Sequence, residues 1–252
     1  MSRRAKMFVK PLKVLDAREI PENYDISRFK GEEYKRIFSL VFKTFYYQFR
    51  ENIRRGIKGF LFHGEPGTGK TSLAYAIVRE LGKKLRDVSL VFVDGSDIAR
   101  PLYGESEMRI VEIFEEARKR MGYTIILLDD VESIFMSRTY EKIESWHIAQ
   151  DNVFFHMLDE LDTSRVGVIA TTNMFEVVDK AIIDRLYPIR FKELDLETAL
   201  AIAERRCLEL GVRFEKVKEE ILAINPPPKS AREVERIVLK HYIEMLERLE
   251  II

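Results

Sequence analysis

Hydrophobic and polar residues follow two alternating patterns between about residue 59 and residue 192. Short apolar runs, beginning with GFLF at 59–62 and SLVFVD at 89–94, are separated by longer stretches with apolar residues at helical spacing. Three further runs, TIILLDD, VGVIATTN and PIRF, continue the alternation. Strands that alternate with helices in this way predict a parallel sheet covered by helices on both faces.

The pattern changes on either side of this region. After Phe191, three amphipathic stretches predict a small all-helical domain, with Gly211 and the sequence NPPPK separating them. Residues 31–55 predict a helix whose wide aromatic stripe packs in the core. The expected divisions are an N-terminal extension over residues 1–23, an α/β domain over 24–192 and a helical domain over 193–252.

Composition narrows the class of protein. The chain has 252 residues, of which 46% are hydrophobic, and this is ample for a packed core. Lys plus Arg and Asp plus Glu both number 42, so no overall field favours nucleic acid or an acidic membrane. No apolar run approaches the roughly 18 residues that span a bilayer, and no signal peptide is visible, so we expect a cytoplasmic protein without a membrane partner. The single cysteine, Cys207, lies at helical spacing from other apolar residues and is predicted to be a core residue.

A phosphate-binding pattern follows the first predicted strand. The sequence GEPGTGKTS matches G-x-x-x-x-G-K-[ST] and precedes an amphipathic helical stretch, which is the context that this motif requires. Glycines let the backbone N–H groups face inward, the lysine reaches the outer phosphates, and the threonine hydroxyl binds Mg²⁺. The predicted phosphate loop comprises Gly64, Glu65, Pro66, Gly67, Thr68, Gly69, Lys70, Thr71 and Ser72.

Acidic residues end a later strand. In TIILLDDVESIF an apolar run leads into Asp129 and Asp130, with Glu132 two places further on. A parallel-sheet nucleotide site needs one acid for the magnesium ion and another to polarise water. Asp129 is predicted to serve the metal and Asp130 the water. Glu132 is predicted to cap the following turn, with support of the metal or the water as its alternative role.

With these motifs in order, the chain resembles the AAA+ ATPases from about Tyr24 to its end. The resemblance implies ATP and Mg²⁺ as cofactors. It also implies that Asn173, in VIATTN, is the polar sensor that orients the attacking water. The stretch VVDKAIIDRL is similar to the family's LDxALLxR segment, which makes Arg185 the expected arginine finger for a neighbouring subunit; Arg190 is the other candidate.

Three further residues or segments carry weaker matches to the same family. The segment before Gly104 is similar to the loop that faces the central pore and grips a polypeptide, so Tyr103 is a candidate pore residue. Asp25 and Ile26 match the adenine-side segment. Ser230 and Glu233 have capping-box spacing, which places Arg232 in the first turn of a helix, where the family can carry a second sensor for the γ-phosphate.

The resemblance implies a ring-shaped homo-oligomer, with six subunits expected, that remodels or unfolds a protein substrate, with an adaptor choosing the target. A clamp-loader or helicase-loader relative that acts on nucleic acid is one alternative. A slow ATP-dependent switch or scaffold is another, because Asp130 stands where the family usually has glutamate.

Overall fold

The computed structural model describes residues 11–98, 105–133 and 145–248, with the backbone alone for 145–150. The candidate pore residue Tyr103 lies outside these ranges. The strands are β1 (Lys13–Asp16), β2 (Gly59–His63), β3 (Val88–Asp94), β4 (Tyr123–Asp129), β5 (Val166–Thr172) and β6 (Tyr187–Arg190). The helices are α1 (Glu32–Arg50), α2 (Lys70–Lys84), α3 (Glu105–Lys119), α4 (Ser145–Asp159), α5 (Lys180–Ile183), α6 (Leu196–Leu210), α7 (Phe214–Ala223) and α8 (Ala231–Glu247).

These strands form one sheet in the order β1-β3-β4-β5-β2-β6. The neighbouring strands in the order β3-β4-β5-β2-β6 all pair in parallel, as the sequence predicts. Strand β1 pairs antiparallel with β3 and was not predicted, because its four residues carry no pattern of their own. The sheet is therefore mixed, with a parallel body of five strands and one antiparallel edge strand.

Alternate residues of the central strands face opposite layers of helices. In β4, Ile125 and Leu127 pack in one core with α1 and α2, whereas Ile126 and Leu128 pack in the other with α3 and α4. This period of two explains why the run is apolar throughout, since both faces of the strand are buried. The aromatic stripe of α1 packs as predicted, because Phe45 and Phe49 are buried beside the sheet.

The last three helices share a separate hydrophobic core. Ala199, Ala203 and Cys207 of α6 pack with Val217 and with residues of α8. Cys207 is buried there, as predicted, and its burial raises the pKa of the thiol. We refer to α6, α7 and α8 together as the helical lid. The predicted domain boundaries at residues 23/24 and 192/193 stay predictions.

Candidate functional site

The predicted phosphate loop connects β2 to α2 and passes close to two other parts of the chain. Gly64 has φ +137°, and a Cβ atom there would lie 2.3 Å from the carbonyl oxygen of Phe191. Gly67 has φ +76°, and its Cβ would lie 3.0 Å from Cγ of Arg232. Only glycine combines this backbone conformation with this approach. The loop is therefore enclosed by the end of β6 and the beginning of α8.

Lys70 is the first residue of α2, and its ammonium group lies inside the loop. It donates hydrogen bonds to the carbonyl oxygens of Gly64 (2.7 Å) and Glu65 (2.9 Å) and to Oδ1 of Asn173 (2.8 Å). Burial lowers the pKa of Lys70, and the nearby carboxylates, led by Asp130, oppose this shift. Lys70 thus joins the loop to the residue that follows β5.

Asp129 ends β4 and accepts two hydrogen bonds at one oxygen. Thr71 Oγ1 donates to Asp129 Oδ1 at 2.7 Å, and Thr171 Oγ1 donates to the same atom at 2.6 Å. The Thr71 hydroxyl and the Asp129 carboxylate are oxygen ligands of the kind that Mg²⁺ accepts. Among the described residues no group of three or more His, Cys, Asp or Glu could hold a metal. A magnesium ion held by Thr71 and Asp129 would therefore take its other ligands from phosphate and water, as is usual for this ion.

Thr171 is a site residue that the sequence analysis missed. Besides its bond to Asp129, its hydroxyl accepts a hydrogen bond from the backbone N–H of Asp130 at 3.2 Å. A signal was present in the sequence, because Thr171 stands two positions before Asn173 in the predicted strand run VGVIATTN, and alternate positions of such a run point to the same side.

Asp130 and Glu132 contact the same asparagine. Asn173 donates from Nδ2 to Asp130 Oδ1 (2.9 Å) and from its backbone N–H to Glu132 Oε1 (3.1 Å). The backbone of Asp130 is left-handed, with φ +54°, a conformation that Asp tolerates better than most residues. Burial, with Asp129 and Glu132 adding to it, raises the pKa of Asp130. The second oxygen of Glu132 is buried without a hydrogen-bond partner among the described residues. Both acids considered for the water therefore lie beside Asn173.

The remaining loop residues border the site. The Thr68 hydroxyl donates to the carbonyl oxygen of Glu65 at 2.8 Å and steadies the loop, while Pro66 is exposed at its tip. Ser72 lines a cavity of about 370 Å³ between the segment before α1, the beginning of α2 and the helical lid. Tyr24 and Arg205 line the same cavity.

Asp25 and Ile26 lie next to the cavity-lining residues. The Asp25 carboxylate accepts hydrogen bonds from Lys83 Nζ (2.8 Å) and from the backbone N–H of Ser27 (3.0 Å). The Lys83 hydrogen bond is the main reason why the pKa of Asp25 is well below its usual value. Ile26 is half-buried against the sheet core. The neighbouring ring of Tyr24 faces the cavity and stacks on Tyr75, with 4.7 Å between ring centroids.

Arg232 stands in the first turn of α8, directly over the loop. Ser230 caps this helix, since its Oγ accepts from Glu233 N at 3.2 Å, as the spacing predicts. The Glu233 carboxylate accepts a hydrogen bond from the backbone N–H of Lys229 at 2.9 Å, one residue before the N–H that a capping box would use. The Ala231 N–H donates to the Gly67 carbonyl oxygen at 2.9 Å, and the exposed Arg232 side chain passes Gly67. The sequence and the structure thus place Arg232 near the phosphate loop of its own chain.

Arg185 lies apart from the cluster around Lys70. Its Nη2 donates to Asp159 Oδ2 at 2.9 Å and its Nη1 to the carbonyl oxygen of Ala181 at 3.2 Å. Its guanidinium carbon stands 4.7 Å from the ring centroid of Phe155. Lys58 also pairs with Asp159. The other candidate, Arg190, is exposed at the end of β6, where it is paired in register with His63.

None of the helices in residues 11–98, 105–133 and 145–248 is long and apolar enough to cross a membrane.

Known proteins provide an independent comparison. The family model for the ATPase family associated with various cellular activities (AAA) matches residues 60–194, more than half of the chain. The chain is 34% identical over 171 residues to a cell division cycle protein 48 homologue of Archaeoglobus fulgidus, an alignment that covers 67% of this chain and 20% of that protein. It is 32% identical over 157 residues to proteasome-activating nucleotidase 2 of Halobacterium salinarum, covering 60% of this chain and 36% of the relative.

The aligned part is thus a fifth to about a third of these relatives. The family model extends from the second residue of β2 into the connection between β6 and α6, and so includes the loop, the acids of β4 and Asn173. The chain belongs to the ATPase family associated with various cellular activities (AAA).

Proposed function

We propose that this chain binds Mg-ATP in the phosphate loop and hydrolyses it to remodel or unfold a protein substrate. One observation carries the proposal: two consecutive residues of α2 connect the loop to the ends of two strands, β5 and β4. Lys70 contacts Asn173 after β5, and Thr71 contacts Asp129 at the end of β4. Phosphate-binding, metal-binding and water-orienting groups therefore meet at the carboxyl edge of a parallel sheet, where ligands of such folds bind.

The triphosphate would lie against the inner face of the loop. The amino end of α2 and the loop N–H groups favour an anion there, because they present unpaired donors and positive potential. Lys70 contributes its charge, exchanging the carbonyl oxygens of Gly64 and Glu65 for phosphate oxygens.

Thr71 and Asp129 would hold the magnesium ion. When bound, Mg²⁺ neutralises charge that develops on the phosphate oxygens. The protein itself holds the Thr71 hydroxyl and the Asp129 carboxylate side by side. Thr171 fixes the position of the carboxylate through its 2.6 Å hydrogen bond.

Asp130 would accept a proton from the attacking water, with Asn173 orienting both. On its left-handed backbone, the Asp130 side chain reaches Asn173 Nδ2 at 2.9 Å although it is one methylene shorter than the family's usual Glu. Glu132 is the rival acid, since its Oε1 accepts from the Asn173 backbone N–H and its Oε2 is buried without a hydrogen-bond partner among the described residues.

Arg185 would complete the site of a neighbouring subunit in a homo-oligomeric ring, for which six subunits are expected. Its guanidinium would exchange Asp159 for phosphate oxygens, and Arg232 would read the γ-phosphate within its own chain. The relatives named for proteasome activation support a protein substrate and an assembly with partners. An adaptor would select the target, and the protein is expected to be cytoplasmic.

A slow ATP-dependent switch is the second candidate. The observation in its favour is the shorter acid at position 130 in a left-handed conformation, because a displacement of about 1 Å of a catalytic group costs on the order of 10²-fold in rate.

Steady-state ATPase assays with unfolded protein, single-stranded DNA and duplex DNA as stimulants separate these functions. We expect unfolded protein, and neither form of DNA, to raise the ATPase rate of the wild type. The Lys70→Ala variant should show no such increase, and its rate gives the background of the assay. Stimulation by DNA alone would favour a nucleic-acid loader. Slow turnover that no stimulant raises would favour the switch. An exposed lysine at the other end of α2 gives the matched variant, Lys84→Ala, which should behave as the wild type.

A further inference from the structure

Two successive carbonyl groups of the phosphate loop are held from outside. The Gly67 carbonyl oxygen accepts a hydrogen bond from the Ala231 N–H at 2.9 Å, at the beginning of α8. The Thr68 carbonyl oxygen accepts one from the Tyr34 hydroxyl at 2.7 Å, from the first turn of α1. The helical lid therefore hydrogen-bonds to one peptide group of the loop, and α1 hydrogen-bonds to the next.

The direction of these carbonyl groups determines where two N–H groups point. In a planar trans peptide the carbonyl oxygen and the following N–H project in opposite directions. Because the carbonyls of Gly67 and Thr68 are turned outward, the N–H groups of Thr68 and Gly69 are turned to the inner side of the loop. Inward N–H groups are the donors with which such loops bind anions.

Packing on several sides holds the Tyr34 side chain at the phosphate loop. A Cβ atom on Gly69 would lie 3.5 Å from the Tyr34 ring, so the ring packs directly on the loop. The ring also meets the ring of Phe191 edge to face, with 6.2 Å between centroids. Tyr34 packs against both the sheet core and the core of the helical lid. Burial, with Asp195 and Glu33 adding to it, raises the pKa of Tyr34 to about 12, so the hydroxyl keeps its proton.

The lid makes the other contact through its backbone. Ala231 is the first residue of α8, and its N–H is one of the donors that a helix leaves without an internal partner. Because this N–H donates to the Gly67 carbonyl oxygen, the orientation of that loop peptide depends on the position of the lid.

We propose that the Tyr34 hydroxyl and the Ala231 N–H form a clamp that orients the Thr68 and Gly69 N–H groups toward phosphate and couples the loop to the helical lid. Tyr34 is thus a positioning residue, and this inference rests on the proposed nucleotide site. Movement of the lid away from the loop releases the Gly67 carbonyl and with it the orientation of the Thr68 N–H.

Each half of the clamp can be removed by a single substitution. Tyr34→Phe deletes only the hydroxyl. Ala231→Pro removes the N–H and places a ring methylene in its position, which also pushes the Gly67 carbonyl oxygen away; the helix itself accepts the change, because proline is favoured at the first helical position and Ser230 before it already has the extended backbone that proline requires (φ −139°, ψ 154°). Tyr46→Phe is the matched control, since it makes the same change on α1, where the hydroxyl meets Arg50.

The first measurement compares the affinities of the full chain for ADP and for adenosine. ADP presents phosphates to the loop without a γ-phosphate for Arg232 to read. We expect Tyr34→Phe to weaken ADP binding by about 3- to 10-fold, the size of one net hydrogen bond, and Ala231→Pro to weaken it at least as much. Both variants should leave adenosine binding unchanged. Tyr46→Phe should bind both as the wild type does. Unchanged ADP affinity in both variants, or equal losses for ADP and adenosine, would overturn the clamp while leaving the nucleotide site in place.

The second measurement needs no nucleotide. Amide hydrogen exchange of residues 64–71 in the free protein should accelerate in Tyr34→Phe and Ala231→Pro, and not in Tyr46→Phe, because each peptide loses its outer partner. Exchange that stays at the wild-type rate in both variants also overturns the clamp. A wild-type chain that binds no ADP would refute the proposed function, and the exchange rates would still decide whether the clamp exists.

Discussion

The hydroxyl of Thr71 donates a 2.7 Å hydrogen bond to Oδ1 of Asp129, a residue 58 positions further along the chain. This contact joins the first turn of α2 to the end of β4. It places a hydroxyl and a carboxylate side by side next to the phosphate loop, and the following predictions depend on that arrangement.

Asp129→Asn should impair the response to magnesium more than the binding of nucleotide. Replacing the carboxylate by an amide removes a charge that the divalent ion needs, so the Mg²⁺ concentration for half-maximal ATPase should rise by about tenfold or more, the loss that even an outer-shell partner of a metal can cause. Asp94→Asn is the control, because Asp94 ends the adjacent strand and caps a turn at Ser96. An unchanged magnesium titration in Asp129→Asn would remove Asp129 from the metal site.

Asp130→Asn and Glu132→Gln should differ in single-turnover hydrolysis. Asp130→Asn keeps the shape of the side chain but loses the acceptor charge, so ATP should stay bound while hydrolysis falls by about 10²-fold or more. Glu132→Gln should retain most of the rate. The reverse result, an active Asp130→Asn beside an inactive Glu132→Gln, would transfer the water-orienting role to Glu132.

Arg185→Ala should bind nucleotide normally and lose hydrolysis by about 10³-fold, because a finger acts in the site of the neighbour. Asp159→Asn frees Arg185 from its ion pair without removing it, and should therefore retain hydrolysis. Mixed with Lys70→Ala subunits, Arg185→Ala subunits should regain part of the activity. Mixed assemblies that form and stay inactive would count against a shared site.

Arg232→Ala should slow hydrolysis by about tenfold or more while ADP affinity changes little, since the side chain passes the loop at Gly67 and is expected to meet the outermost phosphate. Arg236→Ala removes an exposed arginine one turn further along α8 and should be neutral. Equal effects of the two substitutions would indicate a general charge effect and no sensor at position 232.

The Asp159 ion pairs should make a small contribution to stability that depends on pH. Hydrogen bonds from Arg185 and Lys58 lower the pKa of Asp159 to about 2 from its usual 3.8. A carboxyl whose pKa is lower in the folded state stabilises that state above its unfolded pKa, and the contribution disappears as pH falls from about 4 to about 2. Because 45% of the side chain is exposed, we expect less than about 1 kcal/mol.

Urea unfolding of the wild type and of Asp159→Asn tests this expectation. The difference between their midpoints should be constant above about pH 5 and should shrink toward pH 2. A difference that is the same at pH 2 and pH 6 would mean that the ion pairs are not its cause.

The sequence alone determined the parallel strands, the helices between them and the phosphate loop. These features depend on local rules: apolar residues on both faces of β4 require a buried strand, and the glycines before Lys70 permit a backbone that other residues cannot adopt. The loop and the acids of β4 were also predictable at the same edge of the sheet, because the carboxyl ends of all its parallel strands lie there.

The tertiary structure alone decided which side chains meet. Strand β1 exists through its pairing with β3, Thr171 joins the site through the register of β5 beside β4, and Tyr34 reaches Thr68 across 34 positions. Arg185 could be identified in the sequence, but its partners Asp159 and Phe155 could not. Contacts of this kind depend on the distances between packed elements, which no local pattern of residues specifies.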